Sequence, residues 1–158
     1  LAEKAPDPRG AAPRRNQGLG RILVMVYAVF ALSSFARSVF QLATEFSAAP
    51  LAYLLSAFAA AVYIVATFSL ARSGRTAWYV SVVAVGIELA GVVGVGLLTV
   101  LDPQLFADET VWSRFGAGYG YVPLVLPVLG LAWLLAHRPA RADRAARGDV
   151  AARSRAGG

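Results

Sequence analysis

Cysteine is absent from all 158 residues, which removes disulfides, thiolate catalysis, iron–sulfur clusters and zinc sites built on sulfur. Histidine occurs once, as His137 beside Arg138 at the edge of an apolar run. A lone imidazole there reads as an interfacial cap. With no cluster of histidines and carboxylates at ligand spacing, haem, zinc and di-iron sites lack a donor set, and neither metal nor cofactor is expected. Asp102, Asp108 and Glu109 gather in one segment, but without the alternating ligands and central glycine of a calcium loop. The run Gly116-Ala117-Gly118-Tyr119-Gly120 has a phosphate-loop look, yet no strand precedes it and no Lys-Ser/Thr pair follows. No nucleophile–base arrangement stands out either, so the expectation is a protein that is not an enzyme.

Charge is also missing from most of the chain's length. Hydrophobic residues make up 58% of the sequence, and the charged ones collect at the two ends and in one loop. Four apolar runs, about 22–44, 51–70, 77–101 and 121–136, approach the ~20 residues a membrane helix needs. The fourth is the shortest, a deficit that Trp133 and a snorkelling Arg138 can absorb. The expected fold is an all-α integral membrane four-helix bundle over 21–137. Tails at 1–20 and 138–158, rich in Ala, Arg, Gly and Pro, cannot bury enough apolar surface to order themselves.

Every lysine and arginine except Arg37 and Arg114 falls in the two tails, at Arg21 on the edge of the first tail, or in the loop after the second run, at Arg72 and Arg75. With four spans these all lie on one side, which places both termini in the cytoplasm of a cell whose plasma membrane the chain crosses repeatedly. The opposite side carries Glu45, Asp102, Asp108 and Glu109 against Arg114. The basic tails suit anionic headgroups. No aromatic residue is interleaved with their arginines, so nucleic acid is not the expected partner. Ile22 to Ala36 also resembles a signal-peptide core, with Ser34-Phe35-Ala36 as a tolerable cleavage site. A cut there would leave Arg37 at a new N-terminus and only three spans, so an uncleaved first helix is favoured.

Two charges lie inside the apolar runs. Glu88 stands midway between Ala77 and Leu101 with no other charge in that run; a carboxylate at such depth costs at least ~2.5–3.5 kcal/mol and requires a partner. In the first run Ser33, Arg37, Gln41 and Glu45 recur every fourth residue, a polar stripe expected to face the interior. A rise of ~1.5 Å per residue brings Arg37 and Glu88 within ~7 Å in height, so they are the expected intramembrane pair. In the third run Gly86, Ala90 and Gly94 form a small-xxx-small stripe for close helix approach. Glu88 occupies a separate face with Ser81, Ala84 and Gly91, and the second run offers a milder polar edge at Ser56, Tyr63 and Thr67.

Between the third and fourth runs, Asp102-Pro103 has the form of a helix start. Leu105, Phe106, Val111, Trp112 and Phe115 offer apolar anchors among Asp108 and Glu109. Short extracytoplasmic helices lying on the membrane surface are expected here, followed by an aromatic, glycine-rich re-entry into the membrane. Pro123 and Pro127 should loosen the start of the fourth helix.

The run Phe35-Ala36-Arg37-Ser38-Val39-Phe40-Gln41-Leu42-Ala43-Thr44-Glu45-Phe46, then Ala49-Pro50-Leu51-Ala52-Tyr53, resembles small four-helix integral membrane proteins of high-GC actinobacteria. The run Phe115-Gly116-Ala117-Gly118-Tyr119-Gly120 is similar to theirs too. The resemblance spans roughly 22–136; it implies a host group and the four-span fold, and carries no activity with it. The leading expectation is a non-enzymatic accessory subunit or partner-binding scaffold, in contact with membrane lipids and with a protein partner or a second copy of itself. The alternatives are a small carrier or proton- or ion-handling bundle using Glu88 and Arg37, and a lipid-binding module. An enzyme acting on lipids through Asp102, Asp108 and Glu109 lacks the groups for it.

Overall fold

The computed structural model describes residues 18–139; the expected tails fall almost wholly outside them. Every regular element among these residues is helical. Helix α1 spans Leu19–Thr44, α2 Pro50–Ala71 and α3 Arg75–Leu101. A short, irregular 3-10 turn over Ser113–Tyr119 precedes α4, Val122–Ala136. The three long helices are each long and apolar enough to cross a membrane. The 3-10 turn and α4 together make a fourth candidate, bent by 101°. The four apolar runs are thus four helices, with ends within a few residues of those expected.

Short connections at 45–49 and 72–74 make the long helices antiparallel. Pro50 opens α2 at a position where its missing N–H costs nothing. Neighbours in sequence are neighbours in space: α1 packs on α2, α2 on α3 and α3 on α4, while α4 touches α1 only thinly. One end of the bundle, the tail end, gathers Leu19, Ala71, Arg75 and Ala136. The other, the loop end, gathers Thr44, Pro50 and Leu101. At the tail end Trp78 Nε1 donates to the Leu134 carbonyl at 2.8 Å, tying α3 to α4. The Ser81 and Ser69 hydroxyls meet at 2.9 Å and tie α3 to α2.

Large apolar side chains line the outer surface, and polar ones are buried inside. Leu32, Phe40 and Leu101 are 71%, 61% and 78% exposed, while Ser34, Ser38, Ser56, Ser69, Ser81, Glu88 and Thr99 are buried. Water as solvent would select the reverse arrangement. The observed arrangement is the one that hydrocarbon would select, because helices embedded in it associate through small and polar contacts.

Residues 102–120 meet expectation only in part: the short helix found there is the 3-10 stretch Ser113–Tyr119. No helix follows Asp102-Pro103; Asp102 Oδ1 instead accepts from the Gln104 N–H at 3.2 Å in a local turn. The segment does not rest on a surface but plugs the bundle, with Val111, Trp112 and Ser113 buried. Its descent explains how α4, with 15 residues and ~22 Å of rise, falls short of a ~30 Å hydrocarbon core. The plug fills the space above it.

Glycine makes the seat. A methyl at Gly91 would stand 2.5 Å from the Trp112 ring, and one at Gly96 would stand 2.6 Å from the Phe115 ring. The expected stripe Gly86, Ala90 and Gly94 serves no contact of this kind: a methyl at Gly86 or Gly94 meets nothing within 4 Å, and Ala90 is exposed. The packing glycines lie on the Glu88 side of α3, because the partner there is an aromatic plug rather than a helix backbone. Gly91→Ala should therefore destabilise by ~1–3 kcal/mol through overpacking. Gly86→Ala and Gly94→Ala should be neutral or stabilising by up to ~1 kcal/mol. Thermal unfolding of the three variants in detergent checks the contrast.

Candidate functional site

The centre of the bundle is built from three aromatic side chains and one carboxyl. A tyrosine carries a large apolar ring and a hydroxyl that needs a partner when buried. Tyr27 of α1 has no exposed surface, and its hydroxyl donates to Glu88 Oε2 at 2.6 Å. Glu88 on α3 is likewise fully buried. On α2, the Tyr63 ring lies 6.2 Å from that of Tyr27, and the Tyr63 hydroxyl accepts from Trp112 Nε1 at 3.1 Å. The centre thus joins α1, α2, α3 and the plug across a span of sequence that no local pattern connects. Glu88 Oε1 has no hydrogen-bond partner, and neither does the Ser56 hydroxyl above it on α2.

Arg37 and Glu88, the expected pair, belong to different layers. Arg37 Nη1 donates to the Tyr119 hydroxyl at 2.6 Å, and Nη2 donates to the Glu109 carbonyl at 3.2 Å. Glu88 is level with Tyr27, ten residues and ~15 Å of helix away from Arg37. Height arithmetic along straight helices left a ~7 Å gap, and the lean of side chains toward a helix N-terminus does not close it, because α1 and α3 both begin at the tail end. The guanidinium fork also finds two acceptors on the plug, at a level where polar backbone is on offer.

The polar stripe of α1 is divided by the same geometry. Gln41, one turn beyond Arg37, is buried and donates to Asp108 Oδ2 at 3.3 Å. Arg37 and Gln41 together clamp the plug to α1. Glu45 is exposed and accepts from the Tyr53 hydroxyl at 3.5 Å, tying α1 to the start of α2. Ser33 is exposed and faces away from the interior. The buried line on α1 is Tyr27, Ala31, Ser34, Ser38 and Gln41, a mixture of three- and four-residue steps. A strict four-residue stripe drifts round a 3.6-residue helix, so it leaves the buried face.

No family model, curated protein or solved structure matches this chain. The site stands on its own geometry.

That geometry places an unusual backbone turn at the loop end. Arg114, Phe115 and Gly116 are consecutive left-handed residues at φ 49°, 61° and 78°. Only glycine adopts this conformation freely, and other residues carry a cost of ~1–2 kcal/mol each. The turn is held by the Arg114 N–H, which donates to Thr99 Oγ1 at 2.8 Å, and by the Phe115 ring against Gly96. Thr110 and Ser113 brace the approach: the Thr110 N–H donates to Ser113 Oγ at 2.8 Å, and the Trp112 N–H donates to Thr110 Oγ1 at 3.1 Å. Pro123 closes against Gly116 and sits in the first turn of α4, whereas Pro127 lies inside α4 and withholds a donor from the Pro123 carbonyl.

Among the acidic residues of the loop, Asp102 is exposed. Asp108 and Glu109 border a small cavity of about 50 Å³ with Thr99, Ser113 and Arg114. Among the described residues no three His, Asp or Glu side chains group as a metal site would require. His137 stacks on Trp133, their rings 4.8 Å apart. Tyr27 and Tyr119 were not singled out from sequence. The available signal was a phenol inside an apolar run, a group that buries well only with a hydrogen-bond partner.

Tyr27→Phe removes the hydrogen bond that Glu88 receives, and Trp112→Ala removes both the indole donor and the ring on Gly91. The first should cost ~1–3 kcal/mol and the second ~3–5 kcal/mol, read by thermal unfolding in detergent. Arg37→Gln and Glu88→Gln should combine additively, within ~0.5 kcal/mol. A coupling well above that in the double-mutant cycle would mean the two residues meet.

Proposed function

We propose that this chain is a multi-pass protein of the cell membrane, with both termini cytoplasmic, that works without catalysis as an accessory subunit or scaffold for a protein partner. The observation that carries the reading is how the interior polar groups are used. Arg37, Gln41, Tyr63 and Thr99 all hold the plug in place, and Tyr27 holds Glu88. With these groups committed to structure, the larger grooves lie on the flanks of the bundle. Such a body acts through its surface.

Membrane insertion is supported by the apolar exterior and the lengths of α1, α2 and α3. The orientation follows from Arg21, Arg72, Arg75 and Arg138 at the tail end, facing the cytoplasm. Ala107→Cys at the loop end should react with an impermeant thiol reagent in intact cells, and Ser73→Cys should not. The opposite pattern reverses the orientation. Capture from mild detergent, followed by mass spectrometry, should return a co-purifying membrane protein in stoichiometric amount.

One observation favours a carrier instead: Glu88 Oε1 is buried without a hydrogen-bond partner, and an acid at membrane depth is a functional signal by default. Alternating access, however, is commonly built from paired repeats of broken helices, and the broken pair here occurs once among the described residues. Purified protein in liposomes should pass neither protons nor solute. Flux that disappears in Glu88→Gln would promote the carrier and sink the scaffold.

A further inference from the structure

At the loop end, four oxygen-bearing side chains from separate segments converge. Gln41 comes from α1, Glu45 from the residue that ends it, Tyr53 from the first turn of α2 and Asp108 from the plug. Gln41 is only 6% exposed, and its Oε1 has no hydrogen-bond partner. The amide that carries this oxygen lies against Asp108, with Nε2 3.3 Å from Asp108 Oδ2. The hydroxyl of the buried Tyr53 stands 3.5 Å from Glu45 Oε2, and Asp108 approaches the same hydroxyl. A single phenol proton thus serves two carboxylates. Arg37, one turn before Gln41, is turned to the Tyr119 hydroxyl and the Glu109 carbonyl instead.

We infer that this cluster binds one calcium ion, with Glu45, Asp108, the Gln41 amide oxygen and the Tyr53 hydroxyl as ligands and water completing the shell. An acceptor taken out of water and left unmet is costly, and a cation meets it where no donor is at hand. Four hard oxygens without nitrogen or sulfur suit calcium or magnesium, and spacing separates the two. Oxygens at right angles around calcium, ~2.4 Å from it, stand ~3.4 Å apart, whereas around magnesium, at ~2.0–2.1 Å, they stand ~2.9 Å apart. The 3.5 and 3.3 Å separations match calcium. They are long for hydrogen bonds to a carboxylate, which run at ~2.5–2.9 Å. Turning the Gln41 amide end over puts Oε1 in the place of Nε2, at ligand spacing from Asp108. Nε2 then points to the buried face of α1 shared with Ser38, whose hydroxyl also lacks a partner. Fewer than three acidic or imidazole groups meet here, but calcium accepts neutral oxygens and waters among its six to eight ligands. Glu45 is exposed and Asp108 borders the cavity of about 50 Å³, so water reaches both. Glu45, Asp102, Asp108 and Glu109 outnumber Arg37 and Arg114 at this end, and the local field favours a cation. Two carboxylates place the affinity at ~10⁻⁴–10⁻³ M, the range of weak extracellular calcium modules. Neither the orientation nor the partner proposed above bears on this geometry.

The test uses the full chain, purified in mild detergent, stripped with a chelator and dialysed against radiolabelled calcium chloride. Wild type should bind one calcium per chain with a Kd of ~0.1–1 mM, and an equal concentration of magnesium chloride should displace little of it. Asp108→Asn and Glu45→Gln each remove a charged ligand and should weaken binding ~10-fold or more. Asp102→Asn, exposed on the same loop, should leave binding unchanged. Calcium should also raise the midpoint of thermal unfolding of wild type, and not that of Glu45→Gln. Because Glu45 is exposed, its variant decides the matter even where Asp108→Asn fails to fold. Absence of saturable binding up to ~10 mM, tenfold above the weakest affinity expected, would overturn the inference. So would undiminished binding by Glu45→Gln, or a loss in Asp102→Asn as large as in Glu45→Gln, which would give the calcium to a diffuse acidic surface. Full displacement by equal magnesium would overturn the assignment to calcium.

Discussion

A side chain of any size at position 91 would displace the Trp112 indole, since even a methyl there would lie 2.5 Å from the ring. That bare patch of α3 lets a loop segment enter a helical bundle and stay. Backbone that leaves a helix inside hydrocarbon must satisfy its own N–H and C=O groups. The plug does so with Thr99 Oγ1, with the Thr110–Ser113 pair, and with its carbonyl at Glu109, which accepts from Arg37. The indole N–H then finds Tyr63. Without the seat on Gly91, the indole would have to move from its place beside Tyr63.

The same constraint decides what the intramembrane charges do. Arg37 is used at the level of the plug and Glu88 at the level of Tyr27, so the chain holds two separate polar layers instead of one ion pair. An ion pair in low dielectric must offset the desolvation of both partners. An arginine on a phenol and a carbonyl near the loop end, and a carboxyl under a phenol at the centre, divide that problem between sites of different polarity. The cost of the left-handed turn at Arg114, Phe115 and Gly116 is met within the upper layer, by Thr99 and by the Phe115 ring against Gly96.

On the proposed reading, function falls to the surface. The exposed aromatic and aliphatic side chains form a continuous apolar exterior, and the α2/α3 groove interrupts it with a graded lining that starts at Arg72 and becomes wholly hydrophobic.

The helices themselves were legible in the sequence, because a long apolar run with charge only at its ends determines helix length and location whatever it packs against. The apolar exterior is the folded counterpart of the same runs. The route of residues 102–120 was not legible: Asp102-Pro103 carries local signals for a helix start, and only contacts with Gly91, Gly96 and Tyr63, all distant in sequence, draw the segment inward. The partners of Arg37 and Glu88 were hidden for the same reason. Residue spacing reports position along one helix, whereas pairing depends on the relative heights and rotations of several, which are set by packing. Sequence by itself determined the four apolar helices, their approximate lengths and the end at which Arg21, Arg72, Arg75 and Arg138 gather. Tertiary structure alone decided that Gly91 rather than Gly86 or Gly94 is the close-packing glycine, that Tyr27 holds Glu88, and that Arg37 holds the plug, since each depends on which side chain arrives from another part of the chain.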